Sequence, residues 1–321
     1  MQPMSARPAV LGLAAVAAMA TPVTPTFVLA AEAPSCATVR MSDPGWTDIT
    51  STNAIAANLL EPLGYEQEMQ QVAVPVTYQA IRTNKIDVFL GNWMPAQSAL
   101  VEPLKASGDL AVLNANLEGV RFTLAVPGYV GEAGVTSVAD LAKNADKFDR
   151  TIYGIEAGAP ANQHIAKMIE TNDFGLGEWK LVESSEQAML AQVQRAGRRK
   201  DWVAFLAWEP HPMNSMLPIT YLAGADSYFG PNYGSTTIYT VSRKGFAKDC
   251  PNLAKLFGQL DFTVETENMI MGAIAEGKDP KAVAADRIKA EPAVLETWLA
   301  GVTTVKGEPA LPAVRKALAL D

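Results

Sequence analysis

The sequence predicts an α/β fold in two lobes, each a mostly parallel sheet flanked by helices. Short β-branched or apolar runs alternate with stretches of helical periodicity, which is the pattern of βα units. The chain has 321 residues, 49% of them hydrophobic, more than one sheet and its helices comfortably occupy. Large aromatic residues also stand where the strands end, the side of an open α/β sheet on which small molecules bind.

In chain order, the strand-like runs are CATVRM, QQVAVPV, IDVFLGNW, RFTLAVPG, TIYGIEAG, KLVESS, WVAFLAW and STTIYTVS. After the first run, Ile55, Ala56, Leu59 and Leu60 share one helical face, with Thr50 or Ser51 as N-cap. SEQAMLAQVQRAG starts another helix from Ser184 or Ser185 and turns Met189, Leu190 and Val193 inward. Residues 265–318 read as almost wholly helical, broken near Lys278-Asp279-Pro280 and Glu291-Pro292. The chain is expected to cross between lobes near 119–122, ahead of RFTLAVPG, and to return near 213–218, after WVAFLAWEP. Residues 34–121 and 217–321 then form a discontinuous lobe I, and 122–216 form lobe II. No internal repeat or low-complexity stretch interrupts this order.

Residues 1–33 are expected to be a secretory signal peptide rather than part of the fold. Arg7 precedes an apolar run too short to span a bilayer, and Val28, Ala30, Ala31 and Ala33 give V-x-A and A-x-A cleavage patterns. The alternative is a retained anchor. The APS before Cys36 does not resemble a lipobox, so the mature chain is expected to be soluble and exported. In an oxidising compartment the two cysteines, Cys36 and Cys250, favour a disulfide over two separate buried thiols.

Several function classes lose ground on composition. A formal charge of −8 opposes nucleic-acid binding, and the densest basic run, Arg198-Arg199-Lys200, reads as a solvated loop. Two cysteines and the distant His164 and His211 do not make a metal site. His164, in a helix-like stretch, reads as a surface or packing residue. There is no G-x-S-x-G elbow, no H-E-x-x-H, and no phosphate loop ending in Lys-Ser/Thr. A secreted carbohydrate-active hydrolase remains the rival class, because two distant carboxylates can converge in space.

The tryptophans carry the positive signal. Of six, three sit at strand ends: Trp46 in DPGWTD, Trp93 in FLGNWMP and Trp208 in FLAWEPHP. Phe122, at the first crossover, is a candidate fourth wall. Any one of them alone is more often a core residue than a ligand contact. Trp179 and Trp298 read as packing or surface residues, and Trp202 lies at the wrong end of its strand. Aromatic faces converging from two lobes suit a cation without N–H donors, recognised through the negative quadrupole of the rings at about 0.5–2 kcal/mol per desolvated contact. Asp48, two residues after Trp46, supplies a formal negative charge; capping the following helix is its competing role.

At these residues the chain resembles the periplasmic substrate-binding proteins of quaternary-amine ABC importers, the choline and glycine betaine family, and most of all its choline-binding members. The resemblance runs through VRMSDPGWTDIT, VPVTYQAIRTNKIDVFLGNWMPA, IYGIEAG, ESSEQAMLAQV, AWEPHPMN, YFGPNYGSTTIYT and the late GVTT. It implies a type II-like binding-protein fold that closes around its ligand on a hinge and then docks on an inner-membrane permease. It also implies an aromatic box at Trp46, Trp93, Phe122 and Trp208, a carboxylate for the ligand hydroxyl at Asp48, and a disulfide between Cys36 and Cys250. Two positions depart from the pattern. Phe122 stands where Tyr is usual, and GIEAGAP replaces GIEPGND, so that Ala159 becomes a pocket wall where an Asn would assist at the ligand hydroxyl; Asn162 lies nearby but out of register.

The expected ligand is choline, with trimethylamine N-oxide, glycine betaine or carnitine as alternatives on the same fold. The expected partners are that methylated amine and an ABC permease, with no cofactor, metal, nucleic acid or catalytic residue. The protein is expected to be a periplasmic monomer, and a sensor subunit on the same fold is a further alternative to transport.

Overall fold

The computed structural model describes Met1 and residues 32–320, so the expected signal peptide lies almost wholly outside the described residues. Nine strands are present among them: β1 (Thr38–Asp43), β2 (Glu66–Gln71), β3 (Val88–Met94), β4 (Leu110–Pro127), β5 (Thr151–Tyr153), β6 (Lys180–Val182), β7 (Ala204–Glu209), β8 (Ile219–Tyr221) and β9 (Ser235–Arg243). They form one curled sheet in the order β2-β1-β3-β9-β4-β7-β5-β6, with β8 added to β4.

Parallel pairs build the two wings of this sheet, β1 with β2 and β3, and β5 with β6 and β7. The strands between the wings pair antiparallel. β4 accounts for this. It pairs with β9 over 110–121 and then with β7 over 121–125, so it belongs to both halves. A chain that leaves one half along β4 and returns along β9 must run in opposite directions on the two. The parallel expectation therefore holds only for the wings.

Three local expectations differ from the structure. QQVAVPV alternates like a strand, but β2 ends at Gln71 and Val74–Arg82 is a helix. Pro75 sits in its first turn, where the missing N–H costs nothing. The first long helix, α1, runs Thr47–Leu63 and starts before Thr50 and Ser51, with Trp46 itself at the N-cap position. Residues 265–318 hold helices Val264–Ala275, Pro280–Ala290, Val294–Trp298 and Ala310–Ala317, with a non-helical stretch between the last two. Ser185 caps the helix Glu186–Arg199 by accepting the Ala188 N–H at 3.2 Å.

Two devices brace this framework, one within the first half and one at the crossing. Cys36 and Cys250 are joined as a disulfide with Cα atoms 5.7 Å apart, tying the segment before β1 to the helix Pro251–Gln259. Where the chain returns into β9, Gly234 (φ 76°) packs so tightly on β4 that a Cβ would lie 1.8 Å from the carbonyl oxygen of Phe122. Backbone cannot move aside as a flexible side chain does, and a positive φ disfavours any L side chain. Gly234→Ala is therefore expected to cost about 2 kcal/mol or more. Thermal unfolding checks this, and an unchanged midpoint would show slack at the crossing.

Candidate ligand-binding site

The site forms where β1, β3 and β7 end and β4 crosses. At the end of β1, Asp43 accepts the Gly45 N–H at 2.7 Å and the Thr50 hydroxyl at 2.8 Å, which folds Pro44-Gly45 into a tight turn. Gly45, at φ 89°, takes the left-handed conformation this turn needs. The turn delivers Trp46 to the start of α1 and Asp48 to its first turn. Trp93 comes from the last residues of β3. Phe122 and Trp208 are direct cross-strand partners on β4 and β7, so their side chains leave the same face of the sheet.

All six residues named from the sequence, Trp46, Asp48, Trp93, Phe122, Ala159 and Trp208, line one cavity. Ala96, Gln97, Ile155, Pro160, Ala161 and Leu206 complete its wall. The four aromatic residues are each between 5% and 8% exposed, so the rings enclose the space rather than rim a surface. The Trp93 and Phe122 rings meet nearly edge-on at 6.3 Å, and Phe229 backs Phe122 at 5.1 Å. A volume of ≈40 Å³ is open to the centre of a water-sized sphere.

Its polar inventory is short. Trp93 Nε1 donates to Asp48 Oδ2 at 3.1 Å, and Trp46 Nε1 donates to Glu156 Oε2 at 2.9 Å. Gln97 donates to the Gly91 carbonyl at 2.8 Å and accepts from the Tyr78 hydroxyl. Asp48 Oδ1 is buried with no hydrogen-bond partner among the described residues. Among the described residues, no Lys, Arg or His stands on the cavity wall. Burial, reinforced by the nearby Glu186 charge, pushes the Asp48 carboxyl up to about 8. Burial and then Asp48 itself push Glu267 well above the ordinary carboxylate range. The enclosed cavity thus disfavours the bare anion it contains and favours it again once a positive charge arrives.

The other aromatic and polar residues weighed from the sequence lie elsewhere. Trp179 and Trp202 pack about Phe148, and Trp298 packs on Phe262. Asn162 is buried and binds the Ile155 N–H at 3.0 Å and the Glu183 carboxylate at 2.9 Å, so it fixes the turn behind the wall. Ala159 ends that turn as N-cap of the helix Pro160–Glu170. His164 packs at 5.9 Å from Phe229.

Sequence reasoning missed Glu156, Glu186 and His211. Glu186 accepts the Thr47 N–H at 3.1 Å and the Thr47 hydroxyl, and it meets His211 Nε2 at 3.1 Å. All three residues occur inside motifs that carried the resemblance, but only the folded chain brings them to the cavity mouth.

Comparison with known proteins identifies the family. A family model described as the substrate binding domain of ABC-type glycine betaine transport system matches residues 37–290. The solved structure of an ABC-transporter choline binding protein in complex with choline is 46% identical, with TM-score 0.88, over 89% of this chain and 100% of its own. An ABC-transporter choline binding protein in an unliganded semi-closed conformation is 47% identical, with TM-score 0.82, over 88% of this chain and 99% of its own. The glycine betaine/carnitine transport binding protein GbuC of Listeria monocytogenes is 29% identical over 166 residues, 51% of this chain and 53% of that protein. Substrate-binding proteins of ABC importers are periplasmic or extracellular. No helix among the described residues is long and apolar enough to cross a membrane. The two-lobed fold and a family match over most of the sequence place this chain in the family of substrate-binding domains of ABC-type glycine betaine transport systems.

Proposed function

We propose that the chain captures choline, or a close quaternary ammonium relative, between its lobes and delivers it to an ABC permease. One observation carries the reading: a cavity walled by three indoles and a phenyl ring in which, among the described lining residues, Asp48 Oδ1 is the unpartnered side-chain acceptor. Trimethylammonium has no proton to donate, so ring faces are its natural contacts. The choline hydroxyl gives Asp48 Oδ1 the donor it lacks. A ligand carboxylate would instead meet Asp48 and find no basic side chain on the wall.

Glycine betaine is the second reading, and one feature favours it. The helix Pro160–Glu170 points its N-terminus at the wall through Ala159, Pro160 and Ala161, and helix N-termini attract anions. Carnitine and trimethylamine N-oxide share that argument. The rival reading, a hydrolase stacking sugars, predicts turnover, and stoichiometric retention of the ligand without product would count against it.

The same proposal includes export to the periplasm by residues 1–33, action as a monomer, and a lobe division with its first crossing at 121–122. We place the return after Phe229, later than 217. β8 pairs with β4 at 125–127, and Tyr228 donates a hydrogen bond to Asp173, which keeps this segment with the second half. Calorimetric titration with choline, glycine betaine, carnitine and trimethylamine N-oxide tests the ligand reading. Choline is expected to bind tightest, at micromolar Kd or below, about −8 kcal/mol. Betaine ahead of choline would transfer the polar end to the helix N-terminus, and four flat titrations would remove the reading altogether.

A further inference from the structure

α1 carries no cap of its own. Trp46 occupies its N-cap position and offers no side-chain acceptor, so it caps none of the first N–H groups of the helix. The acceptor comes from the other half of the molecule. Glu186, in the first turn of the helix Glu186–Arg199, takes the Thr47 N–H on Oε2 and the Thr47 hydroxyl on Oε1. Only 2% of Glu186 is exposed.

His211 fixes the orientation of that carboxylate. Its Nδ1 accepts the Met213 N–H at 3.0 Å, so the ring proton is on Nε2 and is donated to Glu186 Oε1 at 3.1 Å. The same imidazole packs at 4.9 Å against the Trp208 ring, a wall of the cavity. A continuous set of contacts thus runs from Trp208 through His211 and Glu186 to Thr47, which lies between Trp46 and Asp48 in sequence. Gln187 adds a bond to the Gly45 carbonyl at 3.3 Å.

We propose that Glu186 is a positioning residue that holds the cleft closed by capping α1 from across the cleft, with His211 tying this latch to the Trp208 wall. Opening the lobes strips the two Thr47 donors from Glu186, leaves it with His211 alone and uncaps α1, so the contact across the cleft contributes only to the closed form. A latch made only on closing slows ligand escape and leaves ligand arrival unchanged. The proposal rests on the ligand reading above only for its choice of probe.

Glu186→Gln is a sharp test because it keeps the shape but leaves one acceptor oxygen and an NH₂ group. It cannot receive donors from Thr47 and His211 on both ends. Lobe separation is followed by energy transfer between dyes on Lys85→Cys and Asp146→Cys, exposed positions in opposite halves, with and without choline. Glu186→Gln is expected to lower the closed fraction and to raise the choline off-rate about tenfold at an unchanged on-rate. Thr47→Val is expected to move both in the same direction, and the double variant to add little, since both changes remove one contact. If Glu186→Gln does not fold, Thr47→Val decides alone.

An off-rate and closed fraction within about twofold of wild type, or fully additive variants, would overturn the latch. Choline that leaves the wild-type distances unchanged would overturn the ligand reading instead. The ligand-free closed fractions of wild type and Glu186→Gln then decide the latch, and a wild type that closes in neither condition refutes it.

Discussion

Replacing Trp208 by alanine is expected to weaken choline binding roughly hundredfold, a loss of about 3 kcal/mol. Two contributions add. One cation–π wall is worth up to about 2 kcal/mol when desolvated, and removing an indole from an enclosed cavity admits water beside the cation and weakens the remaining contacts. Trp208 is only 6% exposed and also packs on His211, so its removal loosens the latch as well. Trp46→Ala is expected to lose a similar amount, since it removes both a wall and the hydrogen bond to Glu156 across the cleft. Trp202→Phe is the control, because that ring packs on Phe148 beneath Lys147 and touches nothing in the cavity. It is expected to leave affinity within about twofold. Fluorescence titration or calorimetry reads all three. A Trp208→Ala protein that binds choline as tightly as wild type would mean that the cation sits elsewhere.

The aromatic walls were legible in the sequence because strand ends are legible. Trp93 and Trp208 close runs of buried apolar residues, VFLGNW and AFLAW, and Trp46 follows Asp43-Pro44-Gly45, a turn whose chemistry is local. The alternation in QQVAVPV misled for an equally local reason, since Pro75 is compatible with an extended run and with the first turn of a helix. The first half of β4, LAVLNANLEGV, gave no strand signal. Its pairing with β9 shifts register three times, which destroys the period of two on which such a signal depends. Glu186 and His211 were out of reach altogether. A carboxylate that caps a helix 139 residues earlier in the chain leaves no trace in spacing, and such contacts appear only once both halves are folded.

Choline affinity is expected to rise with pH between about 6 and 8, by up to about tenfold per unit, and to lose that dependence in Asp48→Asn. In the closed cavity burial and Glu186 hold the Asp48 carboxyl at about 8, far above its ordinary range. Below that value the cavity contains a neutral acid, and a cation that needs the anion must first expel a proton. Above it the anion is already formed. The stability of the empty protein follows the opposite course. A carboxyl whose pKa is raised on folding favours the folded state at low pH, and this contribution is lost as pH climbs from about 4 through 8. Asparagine carries no such charge and can still accept the Trp93 N–H on its amide oxygen. Asp48→Asn is therefore expected to melt higher than wild type at pH 8 without ligand, to bind choline about tenfold or more weakly, and to lose less affinity for glycine betaine, whose carboxylate no longer faces a like charge. The two readouts move in opposite directions for one substitution, which a merely structural role for Asp48 would not produce. Wild-type affinity that is flat with pH, or an asparagine variant that favours choline over betaine as strongly as wild type does, would show that the carboxylate is not the ligand's polar partner.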